Sequence, residues 1–130
     1  MVSLYQAALT LPAPKAEFSD PPQIDVHAEV TRVRAACSRL PVRYYSEQFD
    51  TLVVPPTEPT IVGDLVDDIS DVFADVRKGI VLFDEGHLSA AHWEWTFGFQ
   101  AHWGRHAVSA IRALHVHLSE NGWENRATRA

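Results

Sequence analysis

One cysteine, Cys37, stands alone among 130 residues, so the chain has no internal disulfide and no thiol pair with which to hold zinc. A lone thiol fits a reducing cytoplasm. Its spacing with Val26, Val30, Val33 and Leu40 sets it on the apolar side of a helix, where a thiol packs rather than reacts. Basic side chains are also scarce. With 11 basic against 17 acidic residues, a net charge of -6 and no Lys/Arg cluster, nucleic acid is excluded as the main ligand. No apolar run approaches the ~20 residues of a membrane span. The opening MVSLYQAALTLP lacks the basic and long apolar regions of a secretory signal. Also missing are a Gly-x-Ser-x-Gly elbow, a phosphate-binding glycine loop and a second His-x-x-x-His, so catalysis by a protein nucleophile is unsupported. These absences place the protein in the cytoplasm, without membrane or nucleic acid.

What is present describes one domain over residues 1–130. An apolar share of 46% and a charged share of 22% are ordinary globular usage, and the length suffices for one core but not two. Residues 2–11 predict a short helix ended by Pro12 and Pro14. Residues 12–22 form a proline-rich loop. A helix runs from Asp20, with Pro21 and Pro22 in its first turn, to about Arg39. Residues 41–62, with Tyr44, Tyr45, Phe49 and three prolines, read as a long strap packed over one end of a bundle.

From Gly63 to Asp84, Leu65, Ile69, Val72, Phe73, Val76, Ile80 and Phe83 share one face, and Asp64, Asp67, Asp68, Asp71 and Asp75 share the other. Gly86 ends that helix. A long helix capped by Ser89 follows to about Glu120, with a frayed tail over 123–130. Short connections imply antiparallel neighbours. The expected fold is all-α: a compact bundle of three long helices and a shorter N-terminal one, with the long C-terminal helix central.

The chemistry gathers on that last helix, whose stretch 92–117 holds three of four tryptophans and five of seven histidines. Trp93, Phe97, Ala107, Ile111, Leu114 and Leu118 fall on one face; Trp95, Phe99, His102, His106 and Ala113 fall opposite. Glu94, Arg105, Ser109 and Arg112 form the edge toward water. Gly98 marks a bend, and Gly104 allows close approach of a partner helix.

Residues 63–115 contain Asp67-Asp68 followed by Asp71 and Asp75, the WEW run, the HWGRH string at 102–106 and the AIRALH ending. With YYSEQFD at 44–50 and the Leu4-Tyr5 to Leu11-Pro12 segment, they resemble a bacterial helical family, domain-of-unknown-function family 5063. The resemblance implies a helical fold and a bacterial source, and no reaction.

His102 and His106, four residues apart, can reach one metal, with Asp68 or Asp71 as further ligands. The blander account is two packed rings, hydrogen-bonded to carboxylates or carbonyls, that fix helix register. The aspartates point away from their helix's apolar face, so most should face water, with Asp68 best placed to turn inward. Trp95, Phe99 and Trp103, with Arg105 or His106, form a candidate cleft for a small apolar or aromatic ligand. Arg105 and Arg112 are expected to pair with aspartates of the neighbouring helix; if that pairing is incomplete, they make an anion site. The first functional reading is a module without cofactor that binds a protein partner or small ligand, with homo-oligomerisation a further option. The alternative is a hydrolase using a divalent metal on His102 and His106.

Overall fold

Helix α3, Leu65–Asp84, is the element on which the others pack. Asp64 starts it, accepting the Val66 N–H at 2.9 Å. Asp67 and Asp68 in its first turn suit the positive end of the helix dipole. The computed structural model describes residues 1–14 and 20–123. Around α3 lie α1 (Val2–Leu9), α2 (His27–Cys37), α4 (Leu88–Gly98), a π-helical turn (Phe99–Trp103) and α5 (Gly104–Asn121). Strands β1 (Tyr44–Glu47) and β2 (Ile61–Asp64) complete the described elements. The protein is thus mainly helical, as its patterning predicts. Among the described residues no helix is long and apolar enough to cross a membrane. Part of the predicted 12–22 loop (15–19) and most of the predicted frayed tail (124–130) lie outside the described residues.

Three elements differ from the sequence expectation. The strap over 41–62 contains an antiparallel pair, with Tyr45 opposite Gly63 and Glu47 opposite Ile61. Each strand has only four residues, too few for alternation to declare itself. Second, α2 starts at His27, whose N–H is accepted by Asp25 Oδ1 at 2.8 Å. Asp20 and Pro21 each precede a proline, which pushes both out of the α region. Third, the long C-terminal helix is interrupted by the π-helical turn.

That turn has a local cause. The Gly104 N–H bonds back five residues to Phe99 O, and a Cβ at Gly104 would lie 2.3 Å from that oxygen. The close approach Gly104 permits is therefore to its own chain. One extra residue in a turn rotates the downstream helix by about 100° against the upstream one. The face of Trp93 and Phe97 therefore does not continue into Ala107. Instead Trp93 and Phe97 stack on each other at 4.5 Å and are 40% and 48% exposed.

The centre is formed by Ala8, Val72, Trp103 and Ala107, with Leu4, Tyr5, Val76 and Phe99 against them. So α1, too short to be stable alone, docks through Ala8. Cys37 sits half-buried on the inner side of α2, where burial pushes its thiol pKa up.

Candidate functional site

The acidic stripe of α3 meets the π-helical turn and the start of α5. Asp67 faces outward and pairs with Arg34. Asp68, Asp71 and Asp75 do not face water as a solvated stripe; they turn toward the histidines. Asp68 is only 5% exposed. Its Oδ1 accepts His106 Nδ1–H at 2.7 Å, and its Oδ2 accepts the Tyr45 hydroxyl. Asp75 Oδ2 accepts His102 Nδ1–H at 2.7 Å, and its Oδ1 lies 3.7 Å from Lys78 Nζ. A carboxylate has no proton to give, so these contacts place the Nδ1 hydrogens on both rings.

The two Nε2 atoms then point at the same group. Asp71 Oδ2 lies 3.5 Å from His106 Nε2 and 4.0 Å from His102 Nε2. The rings meet edge to face with centroids 4.7 Å apart. One ligand atom from each of Asp71, His102 and His106 lies within 4.8 Å of the others. Those separations are long for N–H···O bonds. The shortest, 3.5 Å, matches the roughly 3.4 Å between two ligands of one tetrahedral ion with bonds near 2.1 Å, and the wider ones would have to close on binding. Two imidazole lone pairs facing one carboxylate oxygen repel unless a proton on one ring or a metal ion stands between them.

The β-hairpin completes the surroundings. Side chains two apart on a strand share a face, so Tyr45 and Glu47 both look inward. Tyr45 reaches Asp68, and Glu47 accepts the Ser109 hydroxyl. The Tyr45 ring passes over Gly63, where a Cβ would lie 2.2 Å from it. Burial raises the Tyr45 pKa, and its bond to Asp68 adds to this, so the phenol remains a donor.

The four predicted metal residues are brought together, with Asp71, His102 and His106 as the convergent set and Asp68 behind His106. Asp75 and Tyr45 join them; the sequence carries no local signal for Tyr45, because its strand has only four residues and the glycine opposite it lies in a distant part of the chain. The predicted cleft of Trp95, Phe99, Trp103, Arg105 and His106 is not assembled as one surface. Phe99, Arg105 and His106 line a cleft of ≈ 760 Å³ together with His102. Trp103, 1% exposed, belongs to the core. Trp95 packs over Gly79 of α3 and donates from Nε1 to Val76 O at 3.1 Å.

The hydrogen bond to Asp68 lifts the His106 pKa above 6.5, outweighing partial burial; the charges of Asp71, Asp68 and Glu47 act in the same direction. A raised pKa means that protonated His106 stabilises the metal-free fold fully below about pH 6.5, the unfolded value, and ceases to do so as pH rises through the folded value. Urea midpoints of chelator-treated protein should therefore fall from pH 6 toward pH 8. His106→Gln should lack that fall. Equal slopes in both proteins would show that the ring's charge is not stabilising.

A family model described as a domain of unknown function, DUF5063, matches residues 2–120. No curated protein and no solved structure matches the chain.

Proposed function

We propose that this chain, which belongs to the DUF5063 family, binds a divalent transition metal through Asp71, His102 and His106 and presents it to the cleft. The observation that carries this is the orientation of the imidazoles. Each Nδ1–H is committed to a carboxylate, Asp75 or Asp68, and each Nε2 faces Asp71. Carboxylates behind histidine ligands fix the tautomer and raise ligand basicity, the usual second layer of a metal site. Two packed rings that merely fix helix register need one partner each; protonation of His106 accounts for its own approach to Asp71, and a metal ion accounts for both rings facing that carboxylate.

Three protein ligands, two imidazoles and a carboxylate, form a set that suits zinc or another first-row divalent ion and leaves positions for water or substrate. Such an ion supplies a Lewis acid and lowers the pKa of bound water to about 7. This supports metal-dependent hydrolysis ahead of a module that acts by binding alone.

The test is a zinc titration of untagged, chelator-treated protein against a chromophoric competitor, with elemental analysis of the protein as purified. About one equivalent bound tightly is the expected result. No binding above that of a bundle lacking such a cluster would overturn the reading.

A further inference from the structure

The described basic side chains divide into two groups. Arg34, Arg43, Arg77 and Lys78 each meet a carboxylate: Asp67, Asp64, Glu29 and Asp75. Among the described residues Arg32, Arg39, Arg105 and Arg112 form no ion pair. Two of these four, Arg105 and Arg112, line the same cleft as His102 and His106. The expected pairing of these two arginines with α3 aspartates is thus not what the described residues form. Most of those aspartates are committed elsewhere: Asp67 to Arg34 of α2, Asp64 to Arg43 ahead of β1, and Asp68 and Asp75 to the histidines, while Asp71 faces both histidine rings.

Both arginines are exposed, and Arg105 is held in place. The Arg105 guanidinium donates to Phe49 O at 3.3 Å and lies 5.3 Å from the Phe49 ring centroid, so it is held at the cleft without being neutralised. Arg112 follows His106 by six residues, about 9 Å along α5 at 1.5 Å per residue. Between them Ser109 donates to the Glu47 carboxylate. The cleft is also lined by Glu47, Asp64, Asp67 and Asp68, but each of these carboxylates has its own hydrogen-bonded partner, whereas Arg105 and Arg112 pair with none among the described residues and are open to a ligand of opposite charge.

We infer that the cleft takes a small oxyanion, an organic phosphate or carboxylate, whose charged group is bound by Arg105 and Arg112 while another part of the molecule reaches the metal at Asp71, His102 and His106. The planar guanidinium fork matches both oxyanions, and a doubly bonded pair is shorter and stronger than a neutral contact. The inference rests on the metal reading for the ligand's second anchor.

Calorimetric titration of inorganic phosphate, and separately of acetate, into zinc-loaded wild type and into the Arg105→Gln/Arg112→Gln variant tests it. The expected result is anion binding to the wild type that weakens about tenfold or more in the variant, with zinc content near one equivalent in both. Phosphate bound in preference to acetate identifies a phosphate ligand; the reverse identifies a carboxylate. Equal anion affinity in both proteins, or no anion binding to zinc-loaded wild type, overturns the inference and leaves the metal reading standing. Absence of zinc from the wild type overturns the metal reading instead. The same titrations on the metal-free proteins then decide the arginine subsite: loss in the variant upholds it, and no loss overturns it.

Discussion

Alanine at His102 or His106, or asparagine at Asp71, is expected to weaken zinc binding by roughly a hundred- to a thousandfold. The estimate follows from metal-site free energies of about 10–16 kcal/mol shared among three or four ligands, or roughly 3–4 kcal/mol for each ligand lost. The carboxylates behind the histidines should cost less. Asp68→Asn and Asp75→Asn keep the side-chain shape but weaken the hold on Nδ1–H, and such changes typically cost about 10–100-fold. Asp67→Asn supplies the control. Asp67 neighbours Asp68 in sequence, yet it faces outward and pairs with Arg34, so its loss should leave zinc affinity unchanged. A competitor titration across the five variants and this control would check the order. If Asp67→Asn costs as much as Asp71→Asn, the aspartates attract zinc only as a diffuse negative surface, and the geometric argument fails. Circular dichroism melts of the metal-free proteins separate this from unfolding: Asp71, about two-fifths exposed with no close hydrogen bond to either ring, should be replaceable at little cost to the apo fold.

Much of this site was legible before any coordinates, and what was not has physical reasons. The spacing of Leu65, Ile69 and Val72 predicts α3, and the i, i+4 spacing of His102 and His106 puts both rings on one side. Periodicity alone misjudges the aspartates. It assigns a helix a single buried face, whereas α3 packs against α2, α4 and α5, so a stripe polar in composition ends up between elements. The π-helical turn is invisible to any fixed 3.6-residue period. Gly98 and Gly104 mark its place without stating that the phase changes between them. The hairpin is set by a nonlocal fact, the room over Gly63 for the Tyr45 ring, which no window of sequence contains. Arg105 and Arg112 show the same limit. Their charge is readable, but whether it is neutralised depends on which aspartates the histidines have already taken.

Trp103→Ala should cost about 3–5 kcal/mol of folding stability, the range for removing a large buried aromatic side chain. Trp103 is the largest fully buried side chain, packed with Val72, Ala107 and Ala8 and 4.9 Å from the Phe99 ring centroid. The small residues around it, Ala8, Gly98 and Ala107, cannot extend into the space it leaves, so little of the cavity would be recovered. Trp103→Phe should cost much less than alanine. It keeps most of the apolar contact and removes an indole N–H that has no partner among the described residues, and a buried unpaired donor is itself worth about 1–3 kcal/mol of destabilisation. Chemical denaturation of the two variants checks both values. If phenylalanine is as costly as alanine, then shape complementarity of the indole outweighs its unpaired donor. The position also bears on the metal. Trp103 closes the π-helical turn that carries His102, one residue before it, and leads into the α5 turn that carries His106. The alanine variant should therefore bind zinc more weakly although it loses no ligand. Zinc should raise the melting temperature of the wild type, and of the alanine variant by a smaller increment, because binding stabilises the fold only in proportion to its affinity at a given zinc concentration. An equal increment in both would show that Trp103 supports the core without positioning the histidines.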